Sequence, residues 1–285
     1  MKFNRNYELT INPSSTRPFD PTLTIKPPFT IEFDITRNIL ASANVCSIRI
    51  YNLSLVNRNN LLFNVFDSND FRKVELKAGY GNNMPVIFSG NINKSFSMRE
   101  GINFITSIEC FDGGFAFLNS TTSQQFSAGT PQKIIIKSLI SDLDHVTEGA
   151  IGDFPSTNSR GTTYSGNTCE ILREITNGSF NIDNGKAYCL GNNECISNGH
   201  KIINSASGLL GTPAREASIL TFDMIFEPSI IVNQIMILNS ITGANFNGAY
   251  KVQAVKHRGV ISEAVCGDAI TTLTMFYGTS ALTTV

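Results

Sequence analysis

The residues with the most chemistry in them are three histidines, six cysteines and a few closely spaced carboxylates. His145 follows Asp142 and Asp144 in the run SDLDHVTE, which has the donor types of a metal or acid–base cluster. No H-E-x-x-H frame surrounds it or either other histidine, His200 and His257. A histidine close to a helix C-terminus is well served by the helix dipole, so the pattern predicts a polar helix end and loop. His257, in KHRG, fits an exposed turn. Glu170 and Glu174 lie four apart on one helical face and read as solvated. Cys46, Cys110, Cys169, Cys189, Cys195 and Cys266 include no CxxC pair, so burial in the reduced state is expected. Cys189 and Cys195 are close enough to bridge a hairpin or share a metal, but no neighbouring histidine favours zinc. Gly149-Ala150-Ile151-Gly152 lacks the lysine of a phosphate loop, and no Gly-x-Ser-x-Gly elbow occurs. The sequence therefore predicts no enzyme. It assigns no catalytic, cofactor-binding or metal residue and implies no cofactor.

The elements around these residues are mostly short strands. Phe29, Ile31, Phe33 and Ile35 alternate with polar residues, as do Cys46, Ile48 and Ile50, the period of half-buried strands. Val74, Leu76, Ala78 and Tyr80 repeat the pattern before a Gly/Asn turn, and Val86, Phe88 and Ile92 return from it. Ile102, Phe104, Ile108 and Cys110 close this front unit. Ser54 is placed to cap a short helix burying Val56, Leu61, Leu62 and Val65. In the back, Leu220, Phe222, Met224 and Phe226 alternate, followed by Ile235 and Ile237, then Tyr250, Val252 and Ala254, and finally Leu273, Met275 and Tyr277.

The middle has a different period. Thr130-Pro131 opens a helix with Ile135, Ile136, Leu139 and Ile140 on one stripe. Residues 149–167 read as a long exposed loop. Thr168 caps a second helix burying Ile171, Leu172 and Ile175, which Asn177-Gly178 ends. Phe180 to Leu190 reads as a hairpin turning at Asp183-Asn184-Gly185. The expected architecture is mainly β with a small α+β insert. A first β-barrel or sandwich domain spans 1–125, a helix-bearing insertion 126–206 and a second barrel 207–285.

Composition narrows the function. The chain has 285 residues, 41% hydrophobic and 16% charged, with a formal net charge of -1. A sizeable core is possible, and no basic excess points to stable nucleic-acid binding. No apolar run reaches the ~18 residues of a membrane span, and the N-terminus lacks a signal core. Synthesis and retention in a cytoplasm-like compartment are expected, with no stable membrane insertion.

The strand and helix phrases resemble the baseplate hub proteins of tailed phages. SIRIYNLS, VNRNNLL, VELKAGYG and VIFSGNI are similar to that family's opening barrel. GAYKVQAVKHRGVISEAVCGDAITTLTMFYG is similar to its closing barrel, and TPQKIIIKSLI and TCEILREI to the intervening helices. The resemblance covers most of the chain, least clearly over 141–166, in a compact, minimal form. It implies two tail-tube-like barrels per chain and a homotrimer forming a pseudo-sixfold ring. That ring would join a sixfold tail tube or distal tube protein to a threefold central spike and leave a channel for the tape-measure protein and DNA in passage. It also implies a virion tail baseplate location after assembly in the host cytoplasm. The alternatives are another tail-tip or distal-tube structural protein, or a receptor- or glycan-binding β-sandwich. The chain has no Trp, which a glycan-binding surface would favour.

Overall fold

The computed structural model describes residues 4–13, 19, 21–62, 72–265, 267–276 and 282–285. The front of the chain forms β1 (Arg5–Ile11), β2 (Leu23–Ile25), β3 (Ile31–Asn38), β4 (Asn44–Tyr51), α1 (Leu55–Leu61), β5 (Lys73–Tyr80), β6 (Val86–Glu100) and β7 (Asn103–Asp112). The middle forms α2 (Gly114–Asn119), β8 (Thr121–Phe126), α3 (Gln132–Ile140), β9 (Thr147–Ile151), β10 (Thr162–Asn167), α4 (Thr168–Ile175), β11 (Phe180–Asp183) and β12 (Lys186–Cys189). The back forms β13 (Glu194–Ile203), β14 (Leu209–Glu216), β15 (Ile219–Ile225), β16 (Gln234–Leu238), β17 (Gly248–Ile261), β18 (Ala269–Phe276) and β19 (Thr283–Thr284). The fold is mainly β, with strand-built barrel or sandwich units on either side of a helix-bearing insertion.

The two strand-built units share one 14-stranded sheet, ordered β14-β15-β18-β17-β3-β4-β7-β6-β5-β1-β2, with a side branch from β17 through β16 to β13 and β19. The spine is β17. Its first residues, Gly248 to Lys251, pair with β16, and its later residues, Ala254 to Ile261, pair with β3. On its other edge it pairs with β18 from Lys251 to Gly259, with a bulge between Val252 and Ala254. A bulge adds one residue and reverses which side chains face inward. Tyr250 and Val252 therefore point into the back core, whereas Val255, His257 and Ile261 are the inward residues beyond it.

Around the front unit the sheet curls until β1 approaches the end of β17, where Arg5 Nη1 donates to the Val260 carbonyl at 3.3 Å. Tyr7 donates to the Phe29 carbonyl at 2.7 Å and Tyr80 to that of Phe226 at 2.8 Å. The front core holds Leu9, Ile31, Phe33, Ile35, Ile48, Leu76 and Phe88, with Phe226 and Ile261 from the back. A second core belongs to the insertion, with Ile135, Ile136, Leu139, Leu172, Phe180 and Cys189. A third holds Leu220, Phe222, Met224, Val252, Leu273 and Met275.

Several local expectations change. Helix α3 starts one residue later than Pro131, which is its cap, and Asn167 rather than Thr168 caps α4 by accepting from the Glu170 amide at 3.1 Å. Thr168 is instead buried. The stretch 149–167 is not one loop. Its start lies in β9, which pairs in parallel with β12, and its end forms β10, paired with β8. Of the residues expected to be buried by α1, Leu61 is buried while Val56 and the C-cap residue Leu62 are exposed. Ile102 sits exposed in the β6–β7 turn and Phe104 is exposed as well, whereas Thr106, opposite Ile50, takes the inward place. Val65, Cys266 and Tyr277 lie outside the described residues. The hairpin at Asp183-Asn184-Gly185 stands as expected, with Asp183 opposite Lys186 and both Asn184 and Gly185 at positive φ.

Candidate functional site

The densest buried polar chemistry lies where the insertion meets the sheet. Strand β3 points Ile31, Phe33, Ile35 and then Arg37 inward; β4 points Asn44 in beside Cys46; β7 ends its inward row Ile108, Cys110 on Asp112. Asn44 and Asp112 are direct cross-strand partners. Three polar residues thus occupy neighbouring inward positions where apolar ones would otherwise continue the core.

The tip of the β11–β12 hairpin fills this pocket. Arg37 is fully buried and holds Asp183 with both arms, Nε to Oδ1 at 2.7 Å and Nη2 to Oδ2 at 2.8 Å. Its remaining arm reaches the Ile87 carbonyl at 3.2 Å. The bidentate fork is the geometry in which an always-charged guanidinium tolerates burial. Asn44 Nδ2 donates to the Ile182 carbonyl at 2.9 Å. Asp112 accepts from the amides of Asn184 and Gly185, and the Ser89 amide donates to Asn184 Oδ1 at 2.9 Å. Burial pushes the Asp112 carboxyl up to about 7; Asp183 adds to the rise, and the two amides and Arg37 oppose it.

The insertion meets the back unit through weaker groups. Lys251 on β17 is buried, and its Nζ donates to the Gly191 carbonyl at 2.7 Å. Burial lowers its pKa to about 8. Asn233 Nδ2 donates to Asn181 Oδ1 at 3.1 Å.

His257 requires a correction. It is a fully buried mid-strand residue, not part of an exposed turn, because the β17 bulge turns it inward. Its Nδ1 lies 2.9 Å from Thr271 Oγ1, and its ring meets Phe226 edge-on at 5.5 Å. Among the described residues its Nε2 has no hydrogen-bond partner. Burial pulls its pKa down to about 3, with Arg37 adding to the effect.

The other sequence candidates do not converge. His145 sits in the loop after α3 at positive φ, edge-on to Phe115 at 5.1 Å. Asp142 accepts from Thr122 Oγ1 at 2.6 Å and from Gln124, while Asp144 accepts from Ser120 Oγ at 3.3 Å. These carboxylates therefore tie β8 to the α3 end. Glu170 and Glu174 are exposed on α4. Cys189 and Cys195 are free, buried and not linked, with pKa values pushed by burial up to about 12 and about 11. Among the described residues no group of three or more His, Cys, Asp or Glu is placed to hold a metal. Nor is any described helix long and apolar enough to cross a membrane. The side chain of His200 lies outside the described atoms.

What the sequence analysis missed is the Arg37–Asp183–Asp112 junction. The signal was present: a charged residue continues the inward alternation of β3 and another that of β7.

The family described as Baseplate hub gp41 matches residues 10–260. The chain belongs to this baseplate hub family. No curated protein matches it. Among solved structures it is similar to the 43 kDa tail protein of prophage MuSo2 from Shewanella oneidensis, with TM-score 0.61 and 7% identity, covering 94% of this chain and 96% of that one. The tail protein from Neisseria meningitidis MC58 follows with TM-score 0.58 and 10% identity over 96% and 97% of the two chains. The Escherichia coli c3393 protein, a type VI secretion component described as similar to phage T4 gp27 and gp5, gives TM-score 0.58 and 9% identity over 89% and 75%. At such identities the structural likeness speaks for the fold. Family and fold together make this a structural baseplate hub protein of a phage tail.

Proposed function

We propose that three copies of the chain form a ring in which 1–125 and 207–285 act as quasi-equivalent tube-like units, with 126–206 inserted between them. The ring joins a sixfold tail tube or distal tube protein to a threefold central spike. The observation that carries this reading is β17, one strand serving both units, which lets each chain present two strand-built blocks in fixed relation. Closed rings need head-to-tail contacts whose rotation closes, and two blocks per chain convert threefold into near-sixfold symmetry.

The ring leaves a channel for the tape-measure protein and then DNA. A wall for a moving polyanion works best without free cations. On the solvent side of the central strands, Arg49 pairs with Glu32 at 3.1 Å, Lys256 with Asp34 at 3.0 Å and Arg258 with Asp223 at 3.9 Å. These pairings favour such a role for that face. Assembly takes place in the host cytoplasm, and the work is mechanical, without catalysis.

Native mass spectrometry of the purified protein, or a symmetry-free reconstruction of the tail, tests the reading. Three copies around one axis are expected. A stable monomer that binds glycans, or six copies in one ring, overturns it.

A further inference from the structure

The insertion's hairpin tip brings more buried negative charge than the pocket has cations to meet. Arg37 gives its two-armed contact to Asp183, whereas Asp112 is met by two backbone amides of the tip, Asn184 and Gly185. Asp112 is 1% exposed and Arg37 0%. Two carboxylates thus share one buried cation, and an uncompensated buried charge is costly. A proton removes that cost, because a neutral carboxyl still accepts both amides through its lone pairs.

The surroundings allow the exchange. Asp112 borders a cleft of about 470 Å³ between the front unit and the insertion. The other titratable groups there are Lys73 from β5, Asp144 and His145 from the loop after α3, and Lys186 from β12. Behind the pocket stand Arg37 on β3, Asp183 on β11 and Tyr188 on β12, whose pKa is raised first by burial.

We propose that Asp112 is a proton-dependent latch between the insertion and the front unit: protonated, it clamps the β11–β12 tip in place, and deprotonated, it loosens that tip. The sign follows from the docked value of about 7 against an ordinary 3.8. The docked state binds the extra proton, so docking weakens as pH rises from about 4 through about 7 and levels off above.

Hydrogen exchange on the full chain, corrected for the intrinsic pH dependence of exchange, tests this. Protection across Phe180 to Cys189 should fall by about tenfold or more between pH 5 and pH 8. Asp112→Asn should keep the hairpin docked with protection independent of pH. Equal corrected protection of the wild type at both pH values overturns the proposal, as does an unchanged pH slope in Asp112→Asn. Should that variant fail to fold, a carboxyl titration of the wild type by infrared or carbon-detected NMR decides. A midpoint near neutrality for Asp112 supports the latch, and one below about pH 5 overturns it.

Discussion

The insertion is held to the front unit and to the back unit by two different buried cations. Arg37 meets a carboxylate with a complete fork, and its neighbours Asn44 and Asp112 satisfy the same hairpin tip. Lys251 meets a single carbonyl, and burial lowers its pKa to about 8. A guanidinium cannot shed its charge and must be paired, whereas an ammonium can lose its proton when the burial is not repaid. The front junction is therefore built on a cation that cannot be shed, and the back junction on one that can.

The largest expected effect breaks the first half of this contrast. Arg37→Met leaves Asp183 buried without its cation and should cost about 3–5 kcal/mol in chemical denaturation. Adding Asp183→Asn to it should recover a good part of the loss, since the pair acts as a unit. A loss below about 1 kcal/mol for the single variant would mean that the fork contributes little.

The next effect reads how strongly burial, with the Arg37 charge adding to it, keeps His257 neutral beside this junction. His257 is held at about 3, below its ordinary 6.5. Its contribution to stability is therefore present above about pH 6.5 and is lost as pH falls toward 3. The expected slope approaches about 1 kcal/mol per pH unit in that window. His257→Gln should flatten the slope in urea melts at pH 6.5 and pH 4.5.

The smallest effect tests the second half of the contrast. Lys251→Met should lie within about 1 kcal/mol of the wild type at pH 7, because the buried charge it removes was itself unfavourable. The folded lysine loses its proton before the unfolded one, so wild-type stability should rise from about pH 8 toward pH 10. The methionine variant should lack that rise. A loss of several kcal/mol at pH 7 would make the two junctions alike.

Much of the fold was legible because period-two burial is written directly in residue type. Phe33, Ile48, Leu76, Phe222 and Leu273 are all buried where alternation puts them. The helical stripe Ile135, Ile136, Leu139 and Ile140 is likewise buried, as a 3.6-residue period requires. Legibility failed where one residue changes the count. The β17 bulge carried His257 from an expected turn into the core, and no composition signal marks a bulge made of Val, Gln and Ala. The β8–β10 and β9–β12 pairings were also hidden, because Gly-, Ser- and Thr-rich strands look like loops until a partner satisfies their backbone. The buried junction was half visible. Arg37 and Asp112 stood at inward positions, but the hairpin residue that meets Arg37 comes 146 positions later.

The amino-acid order alone settled the local periods, the turn at Asn184-Gly185 and the alternation of strand-rich ends with a helical middle, because each depends on neighbours within a few residues. It also gave the hub resemblance, which the family match over 10–260 upholds. Only the tertiary structure decided that β17 unites both strand-built units in one sheet and that Arg37, Asp183 and Asp112 share one buried pocket. Those facts depend on pairings between distant segments, where backbone hydrogen bonding and the cost of burying charge, rather than local preference, choose the partner.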